Sequence, residues 1–273
     1  MDIYDSHIHS INSFDGRQSV DEICRTALQK KLSGVTVSDH ADLLALVPEK
    51  TMERMPKSVK TIDEAAHKYA GKLRVFRGVE MSEYDADKKN ADKILGLTDY
   101  DAVLGSVHYI DFCGRLTSYS HINFGSQMPL DEVYGLLEEY IKEVLRVLDR
   151  PFFDVFCHLT CPLRYMNGEH RRGVDIMRFE EDIVRILKKM IENRIALEVN
   201  TSGIGTSLNE LMPDLRILKL YKKLGGKLMT LGSDAHTSDK IGNAFNGTAQ
   251  TLKGLGFDGY YYFEKRRANF VPF

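Results

Sequence analysis

The reactive side chains of this sequence cluster by position. Of nine histidines, six (His7, His9, His40, His108, His158 and His236) fall at the ends of short apolar runs. Asp15, Glu80 and Asp234 occupy comparable places. Imidazole and carboxylate together suit Zn, Fe or Mn. His7 and His9 alternate along an extended segment and so face one side, and Asp234 and His236 repeat that spacing. One catalytic zinc takes three protein ligands and a water. Nine donors therefore match two to three divalent transition metals, especially if Glu80 or Asp234 bridges. Three cations would outweigh the charge of three carboxylates and attract a phosphate dianion, with a cation-activated water as nucleophile. His67, in a helical stretch, and His121 and His170, in polar loops, read as structural or solvated.

These residues need elements to bring them together. Short β-branched runs predict buried strands at Ile3–His7, Gly34–Ser38, Leu73–Val79, Ala102–Val107, Phe153–Cys157, Ile195–Val199 and Leu228–Leu231. Helical signals separate most of them. Ser19–Glu22 and Thr61–Glu64 match capping boxes, with Gly71 as the second helix's stop. Pro129 opens a helix whose stripe runs Val133, Leu136, Leu137, Tyr140, Ile141, Val144 and Leu148. Ile183, Ile186, Leu187 and Met190 mark another, and Pro213 opens one that Gly225 and Gly226 end. Alternating strand and helix predicts a mainly parallel α/β sheet, whose strand C-termini converge on one face. Seven strands fit a distorted or incomplete barrel, and the absence of a linker predicts a single domain over residues 1–273.

Composition narrows the class. The chain has 273 residues, 43% hydrophobic and 28% charged, enough for a core without disulfides. Lys and Arg number 37 against 39 Asp and Glu, a net charge of −2, so no global basic field exists to hold nucleic acid. Four scattered cysteines (Cys24, Cys113, Cys157 and Cys161) read as reduced thiols. Cys157 is expected to alternate away from His158 into packing. The start, MDIYDSHIHS, lacks the basic and apolar regions of a leader. No apolar run reaches the roughly 20 residues of a membrane span. A cytoplasmic protein without membrane partners is expected.

The ordered motifs His7-Ile-His9, Ser38-Asp39-His40, Gly78-Val79-Glu80, Gly105-Ser106-Val107-His108, the lone His158 and Gly232-Ser233-Asp234-Ala235-His236 resemble the PHP (polymerase and histidinol phosphatase) superfamily. Glu198-Val-Asn-Thr-Ser-Gly203 and Leu231–His236 are similar to its histidinol-phosphate phosphatase branch. The resemblance covers nearly the whole chain. It implies a distorted (β/α)7 barrel with a trinuclear metal site at the strand C-termini. It further implies His7 and His9 at a first metal, with Glu80 and Asp234 shared or adjacent. Glu80, His108 and His158 would serve a second, and Asp15, His40 and His236 a third. An arginine after the fifth-strand histidine would grip phosphate, and Arg164 stands there.

The implied reaction is phosphomonoester hydrolysis in histidine biosynthesis, on a small-molecule phosphate ester. Arg164 would assist at the phosphate, and Asp234, His236 or a metal-bound water is expected to protonate the leaving oxygen. Asp42 or Glu83 would receive the leaving group's cationic parts. Ser106 is expected to support the backbone, and Arg171 and Arg172 read as a solvated basic pair. Three rivals are a PHP phosphoesterase for another phosphate or a nucleotide, an amidohydrolase, and a non-catalytic metal module. His108 in mid-barrel and the Asp234–His236 pair favour phosphoester chemistry over the second. The intact donor set argues against the third.

Overall fold

A computed structural model describes residues 2–44 and 48–273. Its strands are β1 (Tyr4–Ile8), β2 (Gly34–Val37), β3 (His40–Asp42), β4 (Arg74–Ser82), β5 (Ala102–Ser106), β6 (Tyr109–Phe112), β7 (Arg115–Ser118), β8 (Val155–Phe156), β9 (Ala196–Asn200), β10 (Met229–Gly232), β11 (Gly259–Glu264) and β12 (Arg267–Pro272). Seven of these pair in parallel in the order β1-β2-β4-β5-β8-β9-β10. The seam between β10 and β1 is joined just beyond β10. There Asp234 N donates to His7 O at 2.8 Å and His9 N to Ala235 O at 3.0 Å. The result is a nearly closed, distorted (β/α)7 barrel, as the family resemblance implies and the alternating pattern allows.

The helices are α1 (Val20–Gln29), α2 (Pro48–Lys68), α3 (Lys88–Leu95), α4 (Leu130–Leu148), α5 (Glu180–Glu192), α6 (Leu215–Lys223) and α7 (Phe245–Gly254). The capping box at α1 forms as read. Glu22 N donates to Ser19 Oγ at 3.2 Å and Ser19 N to Glu22 Oε2 at 2.7 Å. The stripes of α4 and α5 are buried as expected. They share a core with Val103, Phe156, Leu197 and Val199, the outward-facing residues of their strands. The alternate residues Ala102, Leu104, Val155, Cys157 and Ala196 form a separate apolar layer with Phe263. That layer fills the barrel below its C-terminal face.

Three features depart from the sequence reading. Thr61 starts no helix: it lies inside α2, and its hydroxyl donates to Ser58 O at 3.0 Å. The buried positions Met55, Ile62 and Ala65 continue one stripe straight through the apparent cap. The short strand β3 adds an eighth member, pairing His40 with Glu80 in register. Two antiparallel hairpins, β6–β7 and β11–β12, also form. The second hairpin closes the barrel floor: Tyr260 Oη accepts from Tyr4 N at 2.9 Å, and Lys265 N donates to Asp101 Oδ1 at 2.9 Å. Among the described residues, no helix is long and apolar enough to cross a membrane.

Candidate metal centre

All nine expected donors meet at the strand C-termini. Glu80, fully buried on β4, is the hub. Its Oε2 lies 2.9 Å from His40 Nδ1, 3.4 Å from His7 Nε2 and 3.5 Å from His9 Nε2. Its Oε1 lies 2.8 Å from His158 Nε2 and 3.2 Å from His108 Nε2. Asp234 Oδ1 approaches His9 Nε2 at 3.3 Å and His7 Nε2 at 3.8 Å. The third side is more open, for Asp15 is exposed. Its carboxylate reaches His236 Nε2 at 3.1 Å and His40 Nε2 at 3.7 Å.

These contacts suit a shared cation better than a network of protons. His7 Nε2 and His9 Nε2 face each other at 2.9 Å. Glu80 Oε2 and His40 Nδ1 are buried with no hydrogen bond of acceptable geometry among the described residues. Such orphaned polar atoms are costly unless something binds them. Donor atoms of three overlapping sets, His7–His9–Glu80, His40–Glu80–His108 and His9–His40–His236, lie within 4.8 Å of one another. Glu80 thus joins the first two sets and His40 the last two, the arrangement expected of more than one ion.

A second ring of acids orients the imidazoles. Glu198 Oε1 accepts from His7 Nδ1 at 2.7 Å, leaving Nε2 free to ligate. Its Oε2 accepts from His158 N at 2.8 Å and Asn200 Nδ2 at 2.9 Å. Asp39 gathers Ser10 N at 2.6 Å, Ser10 Oγ at 2.8 Å and Ser13 Oγ at 3.0 Å, and so fixes the loop after β1. Glu198 was visible in the sequence only as part of a family-like motif, and nothing in its spacing assigned it a task. The signal was an acid at the centre of an apolar strand, where an unpaired carboxylate is rarely tolerated.

The charges reinforce each other. Burial works against ionising Glu80, but His40, His108 and His7 outweigh it and hold the carboxyl well below its usual range. Asp234 behaves likewise, through His7, His9 and His236. Partial desolvation by its neighbours also opposes Asp15, yet His236 and His40 bring it to about 2. Burial depresses His40 and His108, but Glu80 and Asp42 lift both well above the ordinary imidazole value. His7 is lifted by Glu198 against the same penalty. His9 alone falls, to about 3, through burial and the neighbouring His40 and His236. The pocket therefore gathers ionised acids around imidazoles that compete for protons or cations.

Other expectations fare differently. Arg164 reaches the cluster's edge, with Nη2 3.6 Å from Asp234 Oδ2, and hydrogen-bonds Ser202. Cys157 does pack in the barrel's apolar layer, but it does not turn away from the site. Its sulfur lies within 4.8 Å of donor atoms of His7 and Glu198, and of Glu80 and His158. Burial, then the charge of Glu198, keeps that thiol protonated. Asp42 is committed to His108 Nδ1 at 3.1 Å. Glu83 accepts from His108 N and Tyr109 N with one oxygen, at 2.8 and 3.1 Å. Ser106 Oγ is buried without a partner among the described residues rather than bonded to backbone. Arg172 is a structural clamp on the carbonyls of Phe124, Gly125 and Met128. His67, His121 and His170 lie outside the donor sets.

Fold and site together define a barrel metallohydrolase. Residues 5–202 match the PHP domain, and the chain belongs to that family. A probable histidinol-phosphatase of Clostridium acetobutylicum is 28% identical over 267 residues, 97% of this chain and 98% of its own. The histidinol-phosphatase of Lactococcus lactis is 25% identical over 256 residues, covering 93% and 91%. A crystal structure of the Lactococcus lactis histidinol phosphate phosphatase, complexed with zinc, L-histidinol and phosphate, superposes with a TM-score of 0.79. It covers 98% of both chains at 22% identity, so the fold is shared.

Proposed function

We propose that this protein hydrolyses L-histidinol phosphate to L-histidinol and phosphate, using two to three divalent ions of Zn, Fe or Mn. The observation that carries the metal reading is the convergence of five imidazoles within 3.5 Å of the Glu80 carboxylate. His7, His9, Glu80 and Asp234 would hold one ion; Glu80, His108 and His158 a second; Asp15, His40 and His236 a third. Such ions supply a nucleophile from water near neutral pH and positive charge for the phosphoryl oxygens. The substrate reading is supported by two relatives of near-complete overlap that carry the histidinol-phosphatase name.

The chain's own residues orient the ester. Arg164, charged at every relevant pH, grips a phosphoryl oxygen beside Asp234. Glu198 and Asp42 fix the ring orientations of His7 and His108. Asp234 and His236, whose Nδ1 lies 3.7 Å from Asp234 Oδ1, flank the more open side. Asp234, His236 or a water on that side would carry a proton to the departing oxygen. The test is phosphate release from L-histidinol phosphate beside nucleotides and phosphoamino acids, with Mn, Zn or Fe added. The histidinol ester should be preferred. A nucleotide favoured by orders of magnitude in kcat/KM would overturn the substrate, and full activity without metal would overturn the mechanism.

A further inference from the structure

Along β9 and the loop that follows, Glu198, Asn200 and Ser202 stand two residues apart and bond in series. A carboxylate can only accept, so Glu198 Oε2 accepts a hydrogen bond from Asn200 Nδ2 at 2.9 Å. That fixes the amide: its Oδ1 must face Ser202, accepting from the backbone N at 3.0 Å and from Oγ at 2.5 Å. The serine hydroxyl has one proton. Its shorter contact assigns that proton to Asn200 rather than to Asp234 Oδ2 at 3.2 Å. The oxygen's lone pairs are then left for Arg164 Nη2, which donates to them. Every link thus has one direction, set by the buried acid.

Arg164 is held at that single nitrogen. Its Nε is buried and has no hydrogen-bond partner among the described residues. Asp234 is a weak second anchor, at 3.6 Å, and its charge would be shared with any bound cation. A neutral hydroxyl loses nothing when cations arrive. We propose that Ser202 is a positioning residue for the phosphate: it pins Arg164 through Nη2 and leaves the rest of the guanidinium for a phosphoryl oxygen. This rests on the reading that Arg164 grips phosphate.

The test is inorganic phosphate binding to the metal-loaded protein by calorimetry, with steady-state kinetics and metal content measured beside it. Ser202→Ala should weaken phosphate about tenfold, the scale of one hydrogen bond to a charged group, and raise KM more than it lowers kcat. Ser202→Thr, which keeps the hydroxyl, should recover most of the loss. Arg164→Ala should weaken phosphate further, and the double variant should be no weaker than Arg164→Ala alone. Unchanged binding in Ser202→Ala, or effects that multiply in the double variant, would overturn the positioning role. So would metal loss in Ser202→Ala, which would place its action at Asp234. Arg164→Ala with unaltered phosphate affinity would instead sink the reading of Arg164 itself.

Discussion

Glu198→Gln tests whether the site's outer ring sets its metal affinity. The carboxylate offers two acceptor oxygens to three donors: His7 Nδ1 at 2.7 Å, His158 N at 2.8 Å and Asn200 Nδ2 at 2.9 Å. Glutamine keeps the shape but offers one acceptor and one amino group. If the amino group faces His7, Nδ1 must accept and the ring proton moves to Nε2. That nitrogen lies 2.9 Å from His9 Nε2 and is the one expected to ligate. If it faces His158, a buried N–H loses its acceptor, at about 1–3 kcal/mol. Either placement removes a hydrogen bond to a charged group, about 1.5–3 kcal/mol. At 1.4 kcal/mol per decade this is roughly 10–100-fold in metal affinity, the range found for outer-ring ligands elsewhere. Chelator competition would measure it, and imidazole nitrogen NMR would report the tautomer of His7. Affinity within twofold of the parent, with the His7 tautomer unmoved, would refute the reasoning.

Further outcomes follow from the same geometry. A Cβ on Gly232 would stand 2.1 Å from Glu198 Oε1 and 2.8 Å from His7 Cβ. Gly232→Ala should therefore displace both, and metal content measured by elemental analysis should fall; full occupancy would show that the strand yields. In the metal-stripped protein, His7, His40, His108 and His236 titrate above the unfolded imidazole value. Their stabilisation is complete below that value and is lost as pH rises through the folded pKa values, while His9, depressed to about 3, acts only on the acid side. Melting temperature should thus fall above neutral pH in the stripped protein. Metal affinity should rise over the same interval, because ligands must lose protons; parallel profiles for stripped and loaded protein would contradict this. Finally, His158→Gly should be more stable than His158→Ala by about 1 kcal/mol, reversing the usual order because φ is 27° there, and both should lose turnover. Equal stability by denaturant titration would remove the strain argument.

The barrel was legible because buried parallel strands are continuous apolar runs, and the donors because they sit where those runs stop. What escaped the sequence had physical reasons. The β11–β12 turn is Lys265–Arg266, with φ of 50° and 60°. A turn of this kind normally advertises itself through Asn-Gly or Asp-Gly. Here the conformation is imposed by the barrel floor, where Asp101 accepts from Lys265 N and Arg266 N, both at 2.9 Å. The Thr61–Glu64 motif misled because four residues cannot reveal that a helix is already running. Glu198 was unreadable as a positioning acid because the two ligand residues it holds, His7 and His158, lie 191 and 40 residues away.

The misplacement of Cys157 exposes how the site is built. Strict alternation sends neighbouring strand residues to opposite faces, yet Cys157 and His158 both reach the neighbourhood of Glu80. The backbone permits this by leaving the strand: His158 takes φ of 27° two residues past β8, and Asp234 takes φ of 52° two residues past β10. Left-handed backbone at such residues costs about 1–3 kcal/mol and persists only where surroundings over-determine it. Both turns are so held, His158 N by Glu198 Oε2 at 2.8 Å and Asp234 N by His7 O at 2.8 Å. Glu198 and His7 are themselves bonded to each other. The strain that aims two donors inwards is therefore borne by the same pair that sets the His7 tautomer. Ligand direction and ligand protonation are thus one structural decision, and weakening Glu198 should loosen both together.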